Sequence, residues 1–203
     1  MIYRLEQTVR LPQREHEIKN IFGETILNAG VPSVFEAYLN LTNAIIKIST
    51  DDAAKSTITS NNQKIGEIHT RVEVTKKILF LPVGIEYNYI VLNGNEYKMY
   101  ESGLGANQHY FSIYNGNNVV AVIHKDDRVV NFLNKYTLYA EKDEYMFVAL
   151  ICTMFLESTA FCDRTGGIGN SVVDSPYYTA QKELRNKYDP SFIPKIKALE
   201  GVE

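Results

Sequence analysis

The side chains of this sequence that could do chemistry are four histidines, two cysteines, two adjacent carboxylate pairs and a short run of basic residues. His16, His69, His109 and His124 lie far apart, with no HxH, HExxH or CxxC spacing. No single element therefore offers two ligands to one metal ion. All four are expected on surfaces or turns, His69 and His124 on the solvent faces of strands, and no metal or other cofactor is expected. Cys152 and Cys162 stand in an apolar run, where burial disfavours the thiolate a nucleophile needs, and no GxSxG supplies a serine in its place. Asp51-Asp52 and Asp126-Asp127 are sequence neighbours, which point opposite ways on an extended chain, so neither forms an acid/base dyad. Solvated turns are the expected place for both. "RTGGIGNS" at 164–171 and "SGLGANQ" at 102–108 complete neither GxGxxG nor GxxxxGK[ST], so their glycines are expected to serve turns and not phosphate. With no convergent acid, base, nucleophile or metal set, the chain is expected not to be an enzyme.

The basic run is more informative. Arg71, Lys76 and Lys77 fall within one short segment, and Lys76-Lys77 directly precede the apolar "ILFLPVG". Lys125 and Arg128 form a second, looser pair. Two lysines beside an apolar strand suit an anionic phospholipid surface, with the lysines on head groups and the apolar residues below them. The competing reading is a basic strand end followed by an ordinary buried strand. Arg71, Lys76 and Lys77 are the candidate head-group residues. The tyrosines and phenylalanines from Tyr87 to Tyr114 also invite base stacking. A net charge of -3 with few interleaved arginines favours cross-strand aromatic pairing instead, so nucleic acid is not an expected partner.

These residues must be held by a β framework. A chain of 203 residues with 45% hydrophobic and 22% charged side chains is long enough for a sizeable core and too apolar for disorder. Fourteen Tyr and nine Phe with no Trp lean towards β structure. "IYRLEQTVRL" reads as a strand from Ile2 to Leu11, closed by Pro12, with charged "QREHE" after it. Gly23, Gly30 and Pro32 punctuate short β-rich runs, and "VFEAYLNLTNAII" is read as strands in preference to a helix. "DDAAKSTITSNNQK" is a polar loop or a strand edge. From residue 65 the alternation is clean, with Ile68, Thr70, Val72 and Val74 on one face. Asn93-Gly94 and Asn115-Gly116 predict hairpins, and a third pair turns near Asn134-Lys135. Turns about every ten residues are the rhythm of an antiparallel barrel or sandwich.

The texture then changes. "YMFVALICTMFL" (145–156) carries no charge and spans about 18 Å as a helix, against about 30 Å for a bilayer core. Extension to Phe161 reaches about 25 Å but includes Glu157. A helix apolar on every side has to be enclosed on every side, and a closed sheet does that. Asp143 is its expected N-cap. Ten residues on one helix separate the two cysteines by about 15 Å, too far for a disulfide. Two free thiols fit a reducing compartment. With no continuous apolar stretch in the first twenty residues, a cytoplasmic location is expected. After the 164–171 link, "SPYYTAQKELRNKY" predicts a helix with Ser175 as N-cap and Pro176 at its first position. Phe192, Ile193, Ile196 and Leu199 are expected to continue its contact.

The succession "HYFSIYNGNNVVAVIHK", "VVNFLNKYTLYAE", "KDEY" and "MFVALICTMFLES" resembles the tubby C-terminal-like superfamily, its bacterial LURP-one-related members in particular, from about Lys64 to Cys162. The resemblance implies a closed barrel of about twelve antiparallel strands around a C-terminal apolar helix. It also implies phosphoinositide head-group binding through surface Lys and Arg, although no such motif maps onto particular positions here. Phospholipid scramblases are similar in fold. The tail is longer than the family needs. The expected fold is thus mainly β (α+β): a closed antiparallel β-barrel over 1–163 around a central helix at 144–162. A helical tail at 164–203 packs on the barrel or on a partner subunit as a dimer arm. The expected function is a non-enzymatic tubby-like binding module for an anionic phospholipid head group or a protein partner, cytoplasmic or peripheral at the membrane. The alternative is a scramblase-like protein that meets lipid through its apolar helix or the ILFLPVG strand.

Overall fold

The computed structural model describes residues 1–9, 13–52, 55–78, 81–131, 133–161, 172–174 and 176–202. Its strands are β1 (Ile2–Val9), β2 (Arg14–Lys19), β3 (Thr25–Ser33), β4 (Glu36–Asn40), β5 (Ile45–Asp52), β6 (Lys55–Ser60), β7 (Gln63–Ile78), β8 (Leu81–Leu92), β9 (Asn95–Gly105), β10 (His109–Asn115), β11 (Asn118–Lys125), β12 (Arg128–Val130), β13 (Lys135–Ala140), β14 (Val172–Asp174) and β15 (Tyr177–Tyr178). Its helices are α1 (Asp143–Thr159), α2 (Lys182–Arg185) and α3 (Phe192–Leu199). Strands β1 to β11 pair antiparallel in chain order, β11 pairs with β13, and β13 returns to β1, closing a twelve-strand barrel. Closure leaves no wall strand with a free edge along its whole length.

Turn chemistry sets the register of the meander. Asn61-Asn62 and Asn93-Gly94 hold both central residues at positive φ, the twist-matched turn for two-residue hairpins. In the β10–β11 hairpin Asn115 pairs with Asn118, so the turn centres on Gly116-Asn117, one residue later than the sequence suggests. The charged "QREHE" forms most of strand β2, with His16 and Ile18 alternating inward. Two other expectations are corrected. "DDAAKSTITSNNQK" contributes a full wall strand, β6. The turn placed at Asn134-Lys135 does not form: β11 pairs directly with β13, and β12 leaves to pair with β14. Asn134 is occupied otherwise, since its N–H donates to Gln7 Oε1 and its carbonyl accepts from the Gln7 N–H.

Helix α1 fills the barrel. Every residue from Met146 to Ser158 is buried except Phe147, which is half-buried. Leu5, Ile18, Leu39, Ile58, Ile90, Phe111 and Leu138 of the wall pack with it in one core. The helix starts one residue before the expected 144 and ends at Thr159, and its N-cap is Lys142, with Asp143 inside the first turn. Cys162 lies outside the described residues, as do the 164–171 glycines and Ser175. Among the described residues no helix is long and apolar enough to cross a membrane. Burial pushes the Cys152 thiol up to about 12. Iodoacetamide is therefore expected to leave Cys152 untouched in the native protein and to modify it once denaturant is added, a difference that peptide-mass mapping reads directly.

The tail departs most from expectation. Instead of one helix from Pro176 to Tyr188, Tyr177-Tyr178 form β15 on β9, and α2 is a single turn. The cause is tertiary: β9 has an open edge beyond Met99, and the tail backbone satisfies it. The Thr179 N–H donates to the Gly103 carbonyl (2.8 Å), and its hydroxyl accepts from the Gly103 N–H (2.7 Å). Farther on, Phe192 and Ile196 of α3 pack on Ile2, Val122 and Tyr139 outside the wall, and Tyr188 stacks on Tyr110 at 4.1 Å. Leu199 is exposed. The described tail thus packs against its own barrel.

Candidate functional site

Two places in this fold bring together side chains that a plain barrel does not need. The first is the β7–β8 hairpin. Strand β6 follows β7 only as far as His69, and β9 follows β8 only from Asn88. Beyond those points β7 and β8 pair, among the described residues, only with each other, from Arg71↔Tyr87 out to Ile78↔Leu81. That leaves about 25 Å of two-stranded ribbon outside the barrel wall. Val72 and Val74, expected to share a buried face with Ile68, follow its alternation but are 65% and 57% exposed, because the wall has ended beneath them. All three predicted head-group residues lie on this ribbon. Arg71 is exposed at its root, with the guanidinium 3.7 Å from the centre of the Tyr89 ring. Lys76 and Lys77 lie in its distal half, in register with Val83 and Pro82. The backbone register strings the three along one ribbon. Glu73, on the same strand, is already engaged, accepting from the Tyr100 hydroxyl at 2.9 Å and facing Lys187 at 3.8 Å.

The second place is the end of the barrel where α1 stops. Glu157 and His16 are both fully buried, with His16 Nε2 3.0 Å from Glu157 Oε2. Glu157 Oε1 accepts from Asn134 Nδ2 (2.9 Å) and from the Tyr136 hydroxyl. Arg14 donates to the Glu157 carbonyl at 3.2 Å. Burial, then the charge and hydrogen bond of Glu157, push the Tyr136 phenol well above its usual range. His16 Nδ1 is buried with no hydrogen-bond partner among the described residues. Nearby, His109 Nε2 is 2.7 Å from Glu101 Oε1, and its ring stacks on Tyr177 at 4.6 Å. Asp127 accepts the Asn107 N–H at 2.6 Å. Lys125 is buried with its ammonium 4.9 Å from the centre of the Phe161 ring; burial lowers its pKa, against the pull of Glu157, Asp127 and Asp126.

These positions correct several sequence expectations. His16 and His109 are core residues and not surface ones, and Asp127 is buried and not a solvated turn. His124 is half-buried, and its pKa is lowered by burial. Lys125, placed with Arg128 as a basic pair, points into the barrel end, while Arg128 is exposed. A signal for the buried set was present in the sequence: Glu157 is the one charge between Tyr145 and Phe161, and a charge there has to be met by partners from the wall. Which wall residues meet it was not readable, since Arg14, His16, Asn134 and Tyr136 are joined to Glu157 only by barrel closure.

The geometry limits the chemistry. A nucleophile or general base has to reach substrate, and the His16–Glu157 pair is sealed. Among the described residues no group of three or more His, Cys, Asp or Glu side chains could hold a metal ion. The buried set fastens the end of α1 to β2 and β13, while the ribbon exposes Arg71, Val72 and Val74. Comparison with family models, curated proteins and solved structures gives no match.

Proposed function

We propose that this chain is a non-enzymatic barrel module of the tubby-like type that docks on anionic phospholipid surfaces through its β7–β8 hairpin. The twelve-strand barrel around a central apolar helix agrees with the architecture that the resemblance implies. The observation that carries the docking reading is the ribbon itself. It leaves the wall, exposes Val72 and Val74, and runs through Lys76-Lys77 into Ile78 and, across the hairpin, Leu81 to Val83. With α1 enclosed, lipid contact falls to this element. Each basic residue at an anionic surface contributes about 1 kcal/mol at physiological salt. The apolar end adds burial among the acyl chains at about 25 cal/mol per Å². A chain of net charge -3 has no global attraction to such a surface, so the local pair has to supply it.

Co-sedimentation of the full chain with vesicles tests this. Vesicles containing phosphatidylserine or phosphoinositide are expected to carry the protein down, neutral phosphatidylcholine vesicles are not, and high salt weakens the binding. The double variant Lys76→Glu/Lys77→Glu is expected to lose at least about 30-fold in affinity, the equivalent of about 2 kcal/mol. Equal sedimentation of this variant and the parent would remove the lysines from the interface, and no sedimentation on any vesicle would remove the lipid reading.

A further inference from the structure

The hairpin that leaves the wall also leaves an unpaired strand edge at its root. Residues 83–87 of β8 bond to β7 on one side and, among the described residues, to no strand on the other, because β9 begins to pair only at Asn88. The Gly84 carbonyl faces that open side, where it accepts from the Gln181 amide at 3.3 Å. By strand alternation Glu86 turns its N–H and C=O the same way. Beside this edge runs a cleft of about 600 Å³, lined by Gly84, Glu86, Met99, Glu101, Tyr177 and Tyr178. Two carboxylates, Glu86 and Glu101, line it, the second also 2.7 Å from His109 Nε2, and among the described residues no Lys or Arg does. The neighbouring open edge, that of β9, is already filled by the chain itself through β15. The tail therefore demonstrates on β9 the kind of contact that β8 leaves unmade.

We infer that the β8 edge is a docking site for an extended basic peptide, which adds as a short strand along residues 83–87 and sets a Lys or Arg side chain between Glu86 and Glu101. Main-chain hydrogen bonds hold the strand, and the alternate side chains select it. The carboxylates and the tyrosine rings favour a cation in the one pocket the added strand can fill. Such a peptide bridges the ribbon and the strap of residues 177–181. The site does not depend on lipid binding.

Fluorescence anisotropy tests it in the absence of vesicles, with a labelled peptide of alternating lysine and valine and a counterpart carrying glutamate in place of lysine. The basic peptide is expected to bind saturably and the acidic one at least about tenfold more weakly. Glu86→Pro removes an N–H that the β7–β8 ladder does not use, a substitution edge strands tolerate. It is expected to abolish binding while circular dichroism and thermal midpoint stay near those of the parent. Glu86→Gln keeps the edge and is expected to weaken the basic peptide about three- to tenfold. Should Glu86→Pro lose its fold, the Glu86→Gln comparison still decides the charge selection. The proposal is overturned if neither peptide binds at millimolar concentration, if both bind equally, or if a folded Glu86→Pro binds like the parent. Complete displacement of the basic peptide by spermidine would reduce the site to a simple cation pocket and overturn the added strand.

Discussion

Leu150→Asp is expected to prevent this chain from folding. Leu150 sits mid-way along α1, 3% exposed, in the core that joins the helix to the barrel wall. An aspartate there is taken out of water with no partner, at a cost of several kcal/mol even after the carboxyl adjusts its protonation. A domain of this size has roughly 5–15 kcal/mol to lose, and the lost leucine packing takes about 2–5 kcal/mol more. The damage also cannot stay local, because twelve strands close on one helix and the smaller cluster around Phe192 and Ile196 lies outside the wall. Leu150→Ala serves as the graded control: it keeps the fold and lowers the denaturation midpoint by the cavity cost alone. Far-ultraviolet circular dichroism and size-exclusion chromatography distinguish these results. A soluble, native-like Leu150→Asp with an unchanged midpoint would mean the helix is not inside the barrel.

The second large effect is expected at Glu157. Its carboxyl group accepts from Tyr136 and Asn134 and shares a hydrogen bond with His16 Nε2, so Glu157→Leu leaves three polar groups without their partner in a sealed interior. Removing one side of such a set costs about 3–5 kcal/mol, more than a typical core substitution. Glu157→Gln retains the shape and one acceptor oxygen but sets an amide N–H₂ against another donor, so an intermediate loss is expected. His16→Leu in the Glu157→Leu background should cost far less than in the parent, because the second change removes a group the first has already orphaned. Chemical denaturation of the four proteins in this cycle measures the coupling. Strictly additive losses would mean that His16 and Glu157 do not act as a pair.

These two sites mark how far the sequence reaches. Leu150 and its neighbours were legible because an uncharged run too short for a bilayer has only one kind of home, a wall that surrounds it. The hairpins at Asn93-Gly94 and near Gly116 were legible because those residues adopt the backbone the turn requires. The partners of Glu157 were not legible, since β2 and β13 meet α1 only when the barrel closes. Nor was β15. Ser-Pro-Tyr-Tyr followed by Lys-Glu-Leu-Arg carries good local helix signals, yet an open edge on β9 outcompetes them, which is tertiary context overriding propensity. Val72 and Val74 show the same limit. Their alternation is that of a buried face, and whether a wall lies beneath them depends on where β6 and β9 stop. Arg71, Lys76 and Lys77 were found as a run of basic residues, but only the departure of β7 and β8 from the barrel places them on an exposed ribbon.

The docking reading is tested most directly with an intrinsic probe, because the chain contains no tryptophan. Val74→Trp places a single indole on the ribbon, and Leu199→Trp places one on exposed α3 as a control. On addition of phosphatidylserine vesicles at low salt, the Val74→Trp emission is expected to shift to the blue and to become shielded from iodide, while the Leu199→Trp emission stays where it was. Neutral vesicles should move neither. A Val74→Trp emission unchanged on anionic vesicles, or matched by the same shift at position 199, would contradict docking through the hairpin.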